Sequence, residues 1–163
     1  MSDNFKVSDI MTGSGLVSLA PEDSFEHAAK LFVKSNFNGF PVVDKDNELV
    51  GIVTAFEMVS QSSSYLNGSQ KNYESLKEMK VQDIMNRDPL VISPDVGIEN
   101  LAKEFAEHHR VNPIPVVDDG KKLIGVVSRY DIIKFFGGKY LNQTNSIGHE
   151  GVLRRLGRLD SEI

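Results

Sequence analysis

The chain has 163 residues, of which 40% are hydrophobic and 25% are charged, a composition typical of a compact globular protein. Its net charge of -5 argues against a general binder of nucleic-acid backbones, because such a protein needs a basic face. The absence of cysteine excludes both disulfide bonds and thiolate metal sites.

Two further features bear on where the protein resides. The N-terminus from Met1 to Lys6 lacks the basic and apolar regions of a secretory signal peptide. No apolar run is long enough to cross a lipid bilayer. We therefore expect a cytoplasmic protein that has no membrane partner and, given its charge, no nucleic-acid partner.

A unit of roughly sixty residues occurs twice in the chain, and such repeats govern the whole fold. Three blocks return in the same order 74 positions later: residues 7–11 (VSDIM) as 81–85 (VQDIM), 41–44 (PVVD) as 115–118 (PVVD), and 51–54 (GIVT) as 125–128 (GVVS). Because chance does not produce such aligned blocks, we infer an internal duplication.

The first copy predicts the element order β-α-β-β-α. An extended run at residues 16–19 precedes a helix that Asp23 or Ser24 can cap. The apolar face of this helix consists of Phe25, Ala28, Ala29 and Phe32. Two β-branched runs at residues 40–43 and 49–53 predict strands joined by a polar turn, and a second helix follows.

The second copy repeats this order after a polar connection. Its predicted elements are an extended run at 90–92, a helix at 98–108, strands at 114–117 and 123–127, and a helix at 129–136. The resulting boundaries are 6–67 for the first unit, 68–79 for the linker, 80–138 for the second unit and 139–163 for the tail. The tail carries a short apolar stripe beside three arginines, formed by Val152, Leu153, Leu156 and Leu159.

A unit of this size buries too little surface to be comfortably stable alone. We therefore expect an α+β fold in which the two units pack about a pseudo-twofold axis through their sheets. That arrangement creates two related clefts between the copies, in which a ligand can bind.

The ordered blocks resemble a known family. The sequence Asp-Ile-Met, a helix, Pro-Val-Val-Asp and then Gly-Ile-Val-Thr or Gly-Val-Val-Ser resembles the cystathionine β-synthase (CBS) domain, and the tandem copies over residues 6–137 resemble a stand-alone Bateman module. The resemblance implies a regulatory homodimer that acts on an unidentified partner protein. It also implies an adenosyl ligand in the clefts: AMP, ADP, ATP or S-adenosylmethionine.

The best match to the family's nucleotide motif is residues 125–131 (GVVSRYD). Ser128 ends a strand and opens a helix, so its hydroxyl and the free N–H groups nearby can hold a phosphate. Asp131 lies one turn further on and can accept hydrogen bonds from ribose hydroxyls. The alternative is a capping box, in which Ser128 and Asp131 only stabilise the start of the helix.

The first copy departs from the motif because Glu57 stands where the family has aspartate. Glutamate loses more rotamer entropy when it holds a ligand in a fixed geometry. Thr54 and Glu57 also have the spacing of a capping box. We therefore expect the cleft at Thr54 to bind weakly or to be structural.

The resemblance also implies that each cleft borrows residues from the opposite copy. For the cleft at Asp131 these are Thr12, Val17, Phe37, Asn38 and Gly39. For the cleft at Thr54 they are Asn86, Val91, Val111, Asn112 and Pro113. Each apolar residue among them, taken singly, is better interpreted as part of the core.

Arg110 is the cation that we assign to the Asp131 cleft, where it neutralises phosphate; Arg129 and Lys134 are its rivals. The alternative is that Arg110 complements the dipole at a helix C-terminus. The neighbouring His108 and His109 point in different directions on a helix, so no metal site is expected.

No catalytic motif is present, neither a Gly-x-Ser-x-Gly elbow, a Walker loop nor His-Glu-x-x-His, so we do not expect an enzyme. Two hypotheses follow for the whole chain. The first is a regulatory module that senses an adenosyl nucleotide and changes its packing or its partner interaction. The second is a structural dimerisation module with degenerate, empty clefts.

Overall fold

A computed structural model describes residues 4–68 and 73–143 of the chain. After a short 3₁₀ helix, Val7–Asp9, its elements are α1 (Phe25–Ser35), β1 (Gly39–Val43), β2 (Leu49–Thr54), α2 (Ala55–Asn67), α3 (Tyr73–Glu78), α4 (Val81–Ile84), α5 (Ile98–Glu107), β3 (Ile114–Val117), β4 (Leu123–Val127) and α6 (Arg129–Gln143). The apolar stripe predicted in the tail lies outside the described residues.

By its internal contacts the chain divides into two compact units, Met1–Arg129 and Tyr130–Ile163. The first unit contains both copies of the repeat up to the end of β4, and the second contains most of α6. The repeat boundaries drawn from the sequence stay a prediction.

Each copy contributes one antiparallel hairpin, β1–β2 and β3–β4. The two hairpins pair their strands in equivalent registers. In each, the register shifts between two adjacent valines of the first strand, Val42 and Val43 in β1 and Val116 and Val117 in β3. Their turns are also built alike, because Asp44 and Asp118 each accept hydrogen bonds from two backbone N–H groups that follow. The α+β prediction is confirmed.

The hairpins meet through their turns in a reciprocal way. Leu49 N donates to Lys121 O at 3.1 Å, and Leu123 N donates to Asn47 O at 3.1 Å. Two such equivalent hydrogen bonds are what a pseudo-twofold axis between the copies produces.

The extended runs at 16–19 and 90–92 do not form strands. Each makes a single parallel bridge, Leu19 to Val42 and Ile92 to Val116. The reason is that Pro21 and Pro94 follow two residues later in each run, and proline has no N–H with which to continue the ladder.

The helices of the first copy form as predicted but extend further. Ser24 Oγ caps α1 by accepting from His27 N at 3.1 Å, and Asn36 ends it in the left-handed conformation, with φ of 58°. Helix α2 reaches Asn67, the last residue of the predicted first unit, and the predicted linker at 68–79 contains helix α3, Tyr73–Glu78. Leu76 of α3 is buried in the same core as Phe40.

The leading segment of each copy packs on the other copy. Val7 N donates to Val96 O at 2.8 Å, whereas Val81 N donates to Asp23 O at 2.8 Å. Both valines are fully buried, and Val81 lies in the core formed by α1, β1 and β2. Lys6 donates to Asp95 at 2.9 Å, and this hydrogen bond raises the pKa of Lys6.

Candidate functional site

A cleft of about 210 Å³ opens in the first unit where β2 ends and α2 begins, and we call it the Thr54 cleft. Its lining residues come from both copies: Ile52, Thr54, Phe56, Glu57, Asn86, Pro89, Leu90, Arg110, Val111 and Pro113. Apolar walls with a few polar groups are typical of small-molecule sites, although this cleft is smaller than the roughly 300–1,000 Å³ of most of them.

The capping box predicted at the start of α2 is present. Thr54 N donates to Glu57 Oε2 at 2.7 Å, the Thr54 hydroxyl donates to the same oxygen, and Phe56 N donates to Thr54 Oγ1 at 3.2 Å. Both polar side chains are thus engaged with each other and with their own helix. Glu57 therefore cannot grip a ligand through that oxygen without giving up its capping hydrogen bonds.

Asn86 reaches this cleft from the second copy. Its N–H donates to Ile52 O at 2.9 Å, and its carbonyl accepts from Ile52 N at 3.0 Å. This close approach requires glycine at position 51, because a Cβ there would lie 2.7 Å from Met85 Sδ and 2.8 Å from Asn86 O.

The corresponding approach occurs in the other direction. Thr12 N donates to Val126 O at 2.9 Å, and Val126 N donates to Thr12 O at 3.0 Å. Thr12 is thereby tied to the strand that leads into Ser128, as the predicted exchange of residues between the copies requires.

Arg110 lines the Thr54 cleft, whereas the sequence assigned it to the Asp131 cleft; that assignment stays a prediction. Its guanidinium carbon lies 5.4 Å from the centre of the Phe56 ring, within the range of a cation–π contact. Its place in the Thr54 cleft agrees with the repeat, since Arg110 directly precedes Val111–Pro113, which were predicted to lie with Thr54.

The structure gathers five residues predicted for the Thr54 cleft: Thr54, Glu57, Asn86, Val111 and Pro113. Val91 and Asn112 are not among its lining residues, and Asn112 Oδ1 accepts a hydrogen bond from Arg129 N at 3.1 Å. Phe56 was not predicted for this cleft, although an aromatic residue recurs 74 positions later as Tyr130.

The core interpretation was wrong for three of the borrowed apolar residues. Val17, Phe37 and Val91 are all exposed, Phe37 by 54%. Pro113 is buried and meets the backbone at Gly39, where an added Cβ would lie 2.9 Å from Pro113 Cδ. Asn38 has its carbonyl occupied by Ala55 N at 3.0 Å.

The second unit holds Asp131 near the start of α6. Asp131 is buried, and its carboxylate pairs with Lys134 at 2.9 Å, while the Lys134 ammonium lies 5.2 Å from the centre of the Tyr130 ring. The grouping of Asp131 with Ser128 and the borrowed residues of the first unit stays a prediction.

Arg129 does not stand free as a phosphate ligand. Its guanidinium donates to three carbonyl oxygens, those of Phe105 at 2.6 Å, His108 at 2.9 Å and Val111 at 3.4 Å. It also lies over the Phe105 ring, 5.1 Å from the centre. Within the part of the chain that the structure describes, no group of three potential metal ligands is assembled and no helix is long and apolar enough to span a membrane.

Residues 7–63 and 81–138 both match the CBS domain. The chain belongs to the CBS domain family. Its two CBS domains together account for most of the described residues, and the predicted resemblance is confirmed.

Solved CBS-domain pairs have the same fold. CBSX2 from Arabidopsis thaliana, solved in complex with AMP, is 27% identical with a TM-score of 0.71, and the match covers 83% of this chain and 98% of CBSX2. The CBS-domain pair of protein MJ0100, solved with 5′-methylthioadenosine and S-adenosylmethionine, is 27% identical with a TM-score of 0.68 and the same coverage, 83% and 98%.

CBS sequences similar to this one also occur in enzymes. The L-aspartate semialdehyde sulfurtransferase of Methanocaldococcus jannaschii is 28% identical over 116 residues, which is 71% of this chain and 20% of that protein. The chain spans between 20% and 41% of the length of several curated relatives that it matches.

Proposed function

We propose that this CBS pair is a regulatory module that binds an adenosine nucleotide between its two copies and transmits the binding to a partner protein. The observation that carries the proposal is the Thr54 cleft, which both copies build and which presents one cation, Arg110, at its rim. The ligands of CBSX2 and MJ0100 support the adenosyl class.

The side chains of the cleft favour a phosphorylated adenosine over S-adenosylmethionine. Arg110 supplies a positive charge for a phosphate and Phe56 supplies a ring face, whereas the Glu57 carboxylate is already engaged by Thr54. A sulfonium ligand would bring a second positive charge next to Arg110. We therefore rank AMP, ADP and ATP above S-adenosylmethionine for this cleft.

The Asp131 motif adds a second proposed site with different chemistry. A buried aspartate can accept hydrogen bonds from the two ribose hydroxyls, and the ion pair with Lys134 holds the carboxylate in place. We propose that both sites take nucleotides and that the Asp131 site takes the ribose through this carboxylate.

Thermal unfolding with adenosine, AMP, ADP, ATP and S-adenosylmethionine tests the proposal on wild type, Arg110→Ala and Asp131→Ala. A ligand at roughly 100 times its Kd adds about 2.7 kcal/mol of stability, which is a rise in Tm of about 5–10 °C for a chain of this size. Arg110→Ala is expected to reduce the rise for nucleotides and to leave a response to adenosine.

Lys103→Ala is the matched control, because Lys103 is an exposed cation on α5 that pairs with Glu107 at 3.8 Å and does not line the Thr54 cleft. A wild-type protein that none of these ligands stabilises would overturn the proposal. It would favour the alternative function, a structural dimerisation module, for which the self-contained Thr54–Glu57 capping box is the supporting observation.

We also propose that the module acts as a homodimer. Helix α2 exposes Phe56, Val59 and Leu66 at a spacing that places them on one side of the helix, and α6 exposes Tyr130, Ile133 and Phe136 in a similar row. Rows of exposed apolar side chains are typical of protein–protein contacts.

A further inference from the structure

The segment between α5 and β3, residues 108–113, contributes three residues to the lining of the Thr54 cleft: Arg110, Val111 and Pro113. It is an irregular connection in which Arg110 is exposed. An exposed arginine on such a segment has many rotamers and a mobile backbone, so its position in the cleft needs a separate cause.

Arg129 supplies that cause. Its side chain donates to the carbonyl oxygens of His108 and Val111, which lie on either side of Arg110 in the sequence. The same guanidinium anchors to the end of α5 through Phe105 O, and the backbone N–H of Arg129 holds the Asn112 side chain. One residue thereby fixes the segment at three points and ties it to α5 at a fourth.

The first copy lacks this arrangement. The position that corresponds to Arg129 is Ala55, which has no side chain able to reach a carbonyl group. In the first copy, Asn36 ends α1 in the left-handed conformation. In the segment that follows, Phe37 N donates to Ser35 Oγ at 3.3 Å. The hydrogen bonds from Arg129 to Phe105 O, His108 O and Val111 O, which we call the Arg129 clamp, therefore act only on the segment that carries Arg110.

We propose that Arg129 is a positioning residue for the Thr54 cleft: it holds the 108–113 segment so that Arg110 is presented to the phosphate of a bound nucleotide. The inference rests on the proposed function and adds to it the residue that decides between phosphorylated and unphosphorylated ligands. The guanidinium fork suits this task because a lysine ammonium cannot reach carbonyl oxygens in several directions at once.

Calorimetric titration with AMP and with adenosine tests this in the Asp131→Ala background, so that the Thr54 cleft is followed by itself. Arg129→Ala is expected to weaken AMP binding by roughly tenfold, the effect of one lost charged hydrogen bond, and to change adenosine binding by less than about twofold. Arg129→Lys is expected to show most of the same loss.

The pair Arg129→Ala and Arg110→Ala forms a double-mutant cycle. If Arg129 acts through Arg110, the double variant binds AMP no more weakly than Arg110→Ala alone. Equal losses for AMP and adenosine, or additive losses in the double variant, would show a general structural role and overturn the inference. Lys103→Ala provides the control for removal of a nearby cation.

Amide hydrogen exchange of the ligand-free protein separates this inference from the proposed function. Residues 108–113 are expected to exchange at least about tenfold faster in Arg129→Ala and Arg129→Lys than in Lys103→Ala. Unchanged exchange overturns the inference even when the wild type binds nucleotides. Faster exchange in a protein that binds no nucleotide would instead overturn the proposed function, and with it the role of the clamp in ligand choice. If Arg129→Ala does not fold, Arg129→Lys carries the comparison.

Discussion

Gly51 is a residue at which the opposite copy leaves no room for a side chain. An added Cβ would lie 2.7 Å from Met85 Sδ and 2.8 Å from the carbonyl oxygen of Asn86, and that backbone is fixed by its pairing with Ile52. We predict that Gly51→Ala lowers the free energy of unfolding by about 1–3 kcal/mol, as overpacking does. Urea denaturation measures this.

Gly13→Ala is the control for that substitution, because a Cβ at Gly13 would make only ordinary contacts, the nearest at 3.5 Å. Its effect on stability is expected to be within about 0.5 kcal/mol of wild type. Equal effects at Gly51 and Gly13 would mean that the approach of Asn86 to β2 does not constrain the fold.

At the residue scale, local patterns could be predicted and long-range placements could not. The Thr54–Glu57 capping box follows from spacing alone, since both residues lie within one helical turn. The place of Arg110 in the Thr54 cleft was not predicted, because its charge, and not its position in the repeat, guided the assignment. The clamp by Arg129 has no sequence pattern, because its three acceptors are backbone carbonyls.

Helix α2 is one of the two helices that the proposed homodimer contact involves. Val59 is 66% exposed and lies between Phe56 and Leu66 on the same side of the helix. If this face forms a homodimer contact, a buried charge there is costly. We predict that Val59→Glu weakens the dimer at least about tenfold, measured by analytical ultracentrifugation.

Val33→Glu makes the same chemical change outside that face, on α1, where Val33 is 87% exposed. It is expected to leave self-association unchanged. A wild-type chain that is monomeric at all concentrations tested, or a dimer that tolerates Val59→Glu as well as Val33→Glu, would contradict the prediction.

The hairpins were the most predictable elements, because short β-branched runs around a polar turn have few other interpretations. Helix α3 was not predicted because its residues are mostly polar. Its buried side chain is Leu76, which packs in the core. The runs at 16–19 and 90–92 looked like strands by composition, yet the prolines that follow them limit pairing to one bridge each.

At the scale of the whole molecule, the exchange of leading segments is the feature that a repeat comparison cannot reveal. Comparison of the copies shows that residues 7–11 and 81–85 are equivalent, but equivalence does not say on which copy each one packs. The structure places Val81 in the core with α1 and pairs Val7 with Val96 before α5. Each copy is therefore completed by the other.

Because each leading segment packs on the other copy, two matched substitutions are expected to have reciprocal effects. Val81→Ala removes two buried methyl groups and is expected to cost roughly 1–3 kcal/mol, as is Val7→Ala. Because Val81 N donates to Asp23 O and Phe25 N donates to Met79 O, the first of these variants should accelerate amide exchange at the start of α1. Val7→Ala should do so at the start of α5, where Ile98 N donates to Phe5 O.

Each variant serves as the control for the other, since the residue type, the burial and the position in the repeat are the same. The opposite pattern, in which Val81→Ala loosens α5 and Val7→Ala loosens α1, would mean that every leading segment packs within its own copy. Under the exchanged arrangement neither copy can open without releasing a segment of the other. A ligand held between the copies therefore acts on the stability of both at once, which is how binding in one cleft could reach a surface elsewhere on the molecule.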